Sequence, residues 1–380
     1  MYDVVIVGAG VMGSATAYWL SRAGKRVALL DKHQPGHVGA ASGDESRTIR
    51  YQYRGQDVYT EMVVEAAELW KAFDAQLGTS FYQEQGVLCM QSKPDHGPVV
   101  AGYEGLCRLG FEPLWLDSLD LRRRFPQFTN VDSGYLHEGV GGFVAAGPAT
   151  RALAQTSEEL GATVYTEAEV VEFRESAARV SAAVTRDGRV FEADAFVVAT
   201  GSWTPGLLPD LPIRVWSSAA RLHYLRPTDR IAYSFPRLCP FAVVDTQFYG
   251  FPVHWQGSMK LADDMIGAPF NPDSNREDAD PVALAKLREF LRMYIPGIAD
   301  AEVTYSKTCT YAMTVDSDFV IGQLPGWANA FVATGFSGHG FKFGILIGQI
   351  LSDLAIGGAT RWDLSRFSLN RTPTPVVEHW

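Results

Sequence analysis

Cysteine, positive charge and long apolar runs are all scarce in this chain of 380 residues. Its four cysteines, Cys89, Cys107, Cys239 and Cys309, are too few and too scattered for a disulfide framework. With no CxxC pair for zinc or thiol exchange and no metal site expected, a reducing, cytoplasmic setting fits best. Lys and Arg number 33 against 43 Asp and Glu, a formal net charge of -10, which gives no electrostatic case for a nucleic acid or an anionic membrane as partner. The one segment that resembles a membrane span, Val4 to Leu20, is interrupted by Gly8, Gly10 and Gly13 and lacks the basic leader of a signal peptide. Internal repeats and low-complexity tracts are missing too. What the chain does have is bulk. Hydrophobic residues make up 47% and charged residues 20%, enough for a large core. At roughly 100 to 200 residues per domain the length allows two or three folding units.

The first informative segment is the N-terminus. YDVVIV, residues 2 to 7, is a short β-branched run, followed at once by Gly8-x-Gly10-x-x-Gly13 and then SATAYWLSRAGKRV. This order predicts a strand, a tight turn and a helix. Gly8 permits the turn, Gly10 lets a pyrophosphate approach the backbone, and Gly13 lets the helix sit close to the sheet. Unpaired N–H groups at the helix start suit the anion. A second strand, VALLD, ends at Asp31, whose carboxylate is placed to accept ribose hydroxyls. The fingerprint alone does not separate NAD from FAD. Phe196 to Gly201, FVVATG, reads as a late strand laid beside the first, and no second GxGxxG unit exists for a separate nicotinamide nucleotide. A flavin is therefore the more natural cofactor.

Residues 147 to 164 predict an amphipathic helix leading into one strand, TVYTEAEVVEF. Strand-like material recurs at 81 to 90, 138 to 145 and through 214 to 260, so a second domain with a mixed sheet is expected. Asp263 to Pro281 reads as a solvated excursion before a helix that Pro296-Gly297 stops.

Five separated segments point to one family: the glycine fingerprint, GDESRTIR at 43 to 50, YGFP at 249 to 252 with Lys260, Cys309-Thr310-Tyr311, and GFSGHGFKF at 335 to 343. Together, in this order and over nearly the whole chain, they resemble the monomeric sarcosine oxidase and N-methyltryptophan oxidase group of FAD-dependent amine oxidases. The resemblance implies an α/β fold, with a Rossmann-like FAD-binding domain (1–80, 143–210 and 309–370) interleaved with a mixed-sheet substrate domain (81–142 and 211–308). It implies flavin-dependent oxidation of a secondary amine bearing a carboxylate, an N-methyl amino acid for example, to an imine that hydrolyses, with hydrogen peroxide as the second product. The partners are then a small-molecule amine and molecular oxygen, with no obligatory protein partner.

Residue by residue, the resemblance assigns Cys309 to a thioether with the flavin, Lys260 to the oxygen-reacting site, and Arg50 and Lys342 to the substrate carboxylate. Arg offers a planar fork of donors and Lys a localised charge. Arg47 falls in the polar environment near the flavin, and Tyr249 shapes the amine pocket; Lys260, Arg47 and Tyr249 form the catalytic set. Cofactor contacts are expected from Gly8, Gly10, Gly13, Asp31, Lys32, Ser42, Arg47, Gly201, Cys309, Gly338, Gly340 and Lys342. Phe336, Ser337 and His339 complete a turn that either touches the cofactor or supports the fold. Cys89, Cys107 and Cys239 are left as packing or incidental residues, and GFSGH does not satisfy the GxSxG of a serine-hydrolase elbow.

Two departures stand out. AASGDES at 40 to 46 lacks the histidine pair of the closely resembling sarcosine oxidases, with Ser46 where they carry Thr. Asp264 lies where they place a pocket histidine, a role that His254 would have to fill. Inside the pocket Asp264 would favour a cationic amine or an extra donor; facing solvent it would say little about specificity. The alternatives are an oxidase of a cyclic imino acid or larger modified amine, and a flavin-binding electron-transfer or interaction protein without amine turnover.

Overall fold

A computed structural model describes residues 1–53, 56–94, 97–264, 267, 269–274 and 280–375. Part of the excursion expected at 263 to 281 thus lies outside the described residues. Two eight-stranded sheets organise the chain.

In the first sheet, strand Tyr2–Val7 pairs in parallel with Val27–Leu30 on one side and with Val190–Val198 on the other. Val27–Leu30 pairs in turn with Thr163–Tyr165. The long strand Val190–Val198 divides its outer edge. Its first residues pair antiparallel with Arg179–Thr185, and its last pair in parallel with Ala330–Thr334. Four of the six residues of the opening strand are buried, as for a parallel strand covered on both faces. The single strand expected after the helix Ala146–Glu159 is instead two, Thr163–Tyr165 and Val170–Ser176. Glu167 turns the chain between them with a φ of 53°.

Helix Val11–Arg22 carries no charge before its last residue and is buried nearly all round. It is packed among neighbours rather than lying on the surface. Gly10 caps it without a side-chain acceptor, which leaves its N-terminal amide dipoles directed at the loop in front of it. Gly13 is required by contact, because a Cβ there would lie 1.8 Å from the Gly8 carbonyl oxygen. The apolar helix Gly344–Gly357 crosses the first one at Gly348, where a Cβ would come within 2.4 Å of Ala15 Cβ.

The second sheet runs Glu302–Met313, Trp216–Arg226, Ser258–Asp263, Phe248–Trp255, Phe241–Val243, Val87–Gln91, Ser133–His137, Leu114–Leu116. All neighbours are antiparallel except Phe241–Val243 with Val87–Gln91. The strand Glu302–Met313 is continuous across residue 309, where the sequence reading ends one domain and resumes the other. Cys309 accordingly sits on the second sheet. A small sheet of Arg47–Ile49, Gly142–Val144 and Tyr82–Glu84 joins the layers.

Alternation gives the second sheet two different faces. Met259, Leu261, Leu225 and Phe248 point into an apolar cluster covered by Leu287, Phe290 and Leu291 of helix Pro281–Tyr294. Asp280 caps that helix by accepting from Val282 N and Ala283 N, and it ends before Pro296 as expected. The other face belongs to the site. Among the described residues no helix is long and apolar enough to cross a membrane.

The Gly348 contact yields a test. Gly348→Val should cost about 1–3 kcal/mol through overpacking, read as a lower urea midpoint, whereas Gly357→Ala, with nothing within 4 Å of its Cβ position, should change little.

Candidate active site

The register of the second sheet builds the site's floor. Tyr224 pairs with Lys260 and Tyr305, Leu222 with Ala262 and Lys307, Ala220 with Cys309, and Ser218 with Tyr311. Tyr249 pairs with Ala262. Directly paired residues share a face, so Lys260, Lys307, Cys309, Tyr311, Tyr249 and Tyr224 all project to the same side.

Against this face lies the segment 43 to 50, and Asp44 is its anchor. Its carboxylate is 1% exposed and pairs with Lys260 and Arg47, with Lys307 Nζ 3.9 Å away. Tyr224 donates its hydroxyl to Asp44 Oδ1 at 2.9 Å. Lys260, fully buried, also donates to the Ser46 carbonyl at 2.6 Å, and Lys307 donates to the Gly43 carbonyl at 2.7 Å. Burial pushes the Asp44 carboxyl up, but the charges of Lys260, Arg47 and Lys307 outweigh it and hold the group well below the usual carboxylate range. Burial brings the Lys260 ammonium down to about 8, with Asp44 opposing that shift and Arg47 adding to it.

Arg47 links this cluster to Cys309, donating from Nη2 to Sγ at 3.3 Å. Two further thiols are buried. Burial pushes Cys89 up to about 11 and Cys239 up to about 12, as expected of packing residues, while Cys107 is exposed.

Arg50 and Lys342 form a second cationic group. Both are buried. Lys342 donates to the Tyr53 hydroxyl at 3.1 Å and the His339 carbonyl at 2.7 Å, and Arg50 donates to the Gln52 carbonyl at 2.6 Å with its guanidinium over the Tyr53 ring. Burial, reinforced by Arg50, lowers the Lys342 ammonium well below its ordinary value, against the pull of Asp264. The cations divide between Asp44 and Tyr53, and the hydrogen-bonded hydroxyls of Tyr249 and Tyr311 feel both Arg47 of the first group and Asp264 beside the second.

Asp264 faces this inner region. Burial raises the hydroxyls of Tyr53, Tyr249 and Tyr311, and the Asp264 charge adds to the shift of each. His254 does not stand in for a histidine at 264. Its Nδ1 lies 2.7 Å from the Pro252 carbonyl, and the charges it feels are those of Lys260 and Asp44.

A cavity of about 500 Å³ reaches this region at Arg47 and Tyr311. It is lined by Gly8, Gly10, Asp31, Lys32, Ser42, Arg47, Gly201, Tyr311, Gly338 and Gly340. Gly13, Lys342 and Cys309 do not line it, although Arg47 and Tyr311, adjacent to Cys309, do. The lining matches a dinucleotide in several respects. Gly10 keeps the helix start clear, since a Cβ there would meet Ser42 Oγ at 3.2 Å, and Ser42 Oγ accepts from Val11 N. Both Asp31 oxygens already accept backbone N–H groups, from Ala9 at 2.6 Å and His33 at 2.7 Å. Each oxygen keeps a second lone pair for a ribose hydroxyl. The turn at 336 to 340 both lines the cavity and supports the fold, because a Cβ on Gly338 would press the Tyr311 ring at 2.9 Å.

Sequence reading missed Asp44, Lys307 and Tyr311 as site residues. Lys307, Cys309 and Tyr311 alternate along one strand, a signal that was readable once Cys309 was singled out. Asp44 carried none, as a lone acid in an irregular segment.

A glycine-lined cavity suited to a dinucleotide, walled in part by an arginine that donates to a buried thiol, defines a flavin oxidoreductase. Residues 3–354 match the family described as FAD dependent oxidoreductase, and the chain belongs to that family. It is 32% identical to a monomeric sarcosine oxidase from Arthrobacter, over 97% of this chain and 96% of that one. It is 28% identical to the N-methyl-L-tryptophan oxidase of Citrobacter koseri, over 97% and 99%. An amino acid oxidase essential for nikkomycin biosynthesis superposes with a TM-score of 0.82 at 25% identity, over 100% and 99% of the two chains. Glycine oxidase from Geobacillus kaustophilus shares the fold, with a TM-score of 0.85 at 23% identity, over 98% and 99%.

Asp44→Ala would leave buried cations without their counter-charge and should cost about 3–5 kcal/mol of stability at neutral pH, measured by urea unfolding. A depressed folded pKa stabilises above the unfolded value of 3.8 and loses that contribution as pH falls below it, so the deficit should narrow in acid.

Proposed function

We propose that this protein oxidises a secondary amine bearing a carboxylate, an N-methyl amino acid, to an imine that hydrolyses, with oxygen reduced to hydrogen peroxide. The observation that carries this reading is the pair of buried cations, Arg50 and Lys342, grouped around Tyr53 in a chain whose glycine-lined cavity suits a dinucleotide. The names of the relatives, sarcosine and N-methyl-L-tryptophan oxidases, support it. Bound FAD would supply the hydride acceptor and the electrons for oxygen.

The chain's own residues do the rest. The helix start behind Gly10, Ser42, Asp31 and Lys32 would hold the nucleotide, with Gly201, Gly338 and Gly340 keeping the cavity open. Arg50 and Lys342 fix the carboxylate, and an anion arriving there would restore the Lys342 charge that burial opposes. Tyr249 and Tyr311 flank the amine. Cys309, polarised by Arg47, would attach the flavin. The cofactor domain would comprise 1–80, 143–210 and 309–370, and the substrate domain 81–142 and 211–308, with the strand through 309 shared. Oxidation of a cyclic imino acid or a larger amine is the second reading, favoured by Asp264 and by the altered segment 40 to 46.

An anaerobic panel of N-methyl amino acids, proline-like compounds and bulkier secondary amines, followed by flavin absorbance, tests the substrate class. Bleaching by none of them would overturn both readings. With a bleaching amine in hand, Lys260→Met should slow reoxidation by oxygen about 100-fold while leaving bleaching within about threefold. Equal effects on the two half-reactions would remove Lys260 from the oxygen step. Because the Lys260 ammonium loses its proton as pH rises through about 8, reoxidation of the unmodified protein should fall across that range, and the variant should not follow it. Acid precipitation should leave FAD on the polypeptide, and Cys309→Ser should release it; full release from the unmodified protein would refute the covalent link.

A further inference from the structure

Lys260, Ala262 and Asp264 alternate along one edge of the site's floor, and their neighbours show what each end does. The Lys260 end meets Asp44. At the other end Asp264 is fixed by its amide, which donates to the Gln247 carbonyl at 2.8 Å, one step past the Phe248 to Asp263 pair. This register sets the Asp264 side chain on the same face as Tyr249 and Tyr311. Its charge reaches Tyr53 and Lys342 from the opposite layer as well. Among the described residues, the inner region thus brings the cations Arg50 and Lys342 together with the Asp264 carboxylate. That arrangement complements a zwitterion better than a simple carboxylate, since an anionic ligand alone would lie close to the like charge of Asp264.

We propose that Asp264 is a specificity-determining residue that pairs with a positively charged nitrogen of the bound amino acid while Arg50 and Lys342 take its carboxylate. The assignment rests on the carboxylate-binding role given above to those two cations. Asp264 acts in capture, ahead of C–H oxidation, and it makes amino acids with a cationic nitrogen the preferred ligands over carboxylates of the same shape without charge.

The test uses two ligands of matched shape that cannot be turned over as secondary amines. Trimethylglycine carries a permanent cation, and 3,3-dimethylbutanoate is its uncharged carbon counterpart. Each is titrated into the full-length, flavin-loaded protein and followed by flavin absorbance and by thermal shift. The unmodified protein should bind trimethylglycine about tenfold more tightly or better. Asp264→Asn should abolish that preference by weakening trimethylglycine alone. Equal affinities in the unmodified protein overturn the proposal whether or not the variant folds, and so does a preference that survives in the variant. If neither compound binds, the carboxylate reading of Arg50 and Lys342 falls together with it. If 3,3-dimethylbutanoate binds without any preference for the cation, only the role of Asp264 falls.

Discussion

One buried carboxylate holds the two halves of this protein in register. Asp44 comes from an irregular segment that precedes the small joining sheet, and its partners Tyr224, Lys260 and Lys307 come from three neighbouring strands of the second sheet. Removing the charges of Asp44, Lys260 and Lys307 from water is expensive, and their mutual attraction offsets that cost only when the geometry is fixed. The carbonyls of Gly43 and Ser46 complete the arrangement by accepting from the two lysines. Where segment 43 to 50 goes, Arg47 and Arg50 follow, so the same constraint that joins the layers also positions the cations of the site.

The sheet beneath it works because its two faces do different jobs. One face is a dry aliphatic and aromatic layer sealed by helix Pro281–Tyr294. The other carries lysines, tyrosines and a cysteine in a period-two pattern, and those polar groups are satisfied by a separate segment rather than by solvent. A slip of one residue in the pairing would exchange the faces. Charge on one side and apolar packing on the other therefore define the register from both directions.

The site is divided as well as buried. Arg47, Lys260 and Lys307 are tied to a carboxylate, whereas Arg50 and Lys342 are held by carbonyl and hydroxyl oxygens and an aromatic face. The first group surrounds the Asp44 carboxylate; the second lies within reach of the Asp264 charge. A net charge of -10 over the whole chain gives no hint of this, because the cations that matter are those withdrawn from the surface.

The cofactor half was legible in the sequence because its signals are local. The strand, the glycine turn, the helix and Asp31 follow one another within the first 31 residues, and Gly13 answers a contact with Gly8 in the same turn. The family motifs named Arg47, Arg50, Lys260 and Cys309 one at a time. Only the tertiary structure decided how they combine: that Lys260 is held by Asp44, that Lys342 stands with Tyr53 and Arg50, that His254 belongs to the Lys260 side, and that Asp264 faces inward. These are contacts between residues as far apart as 53 and 342, brought together by sheet pairing and the packing of segments against the sheet. A chain records such pairing only as a pattern of alternation. Which alternating face meets which segment is set by packing and electrostatics across the whole fold.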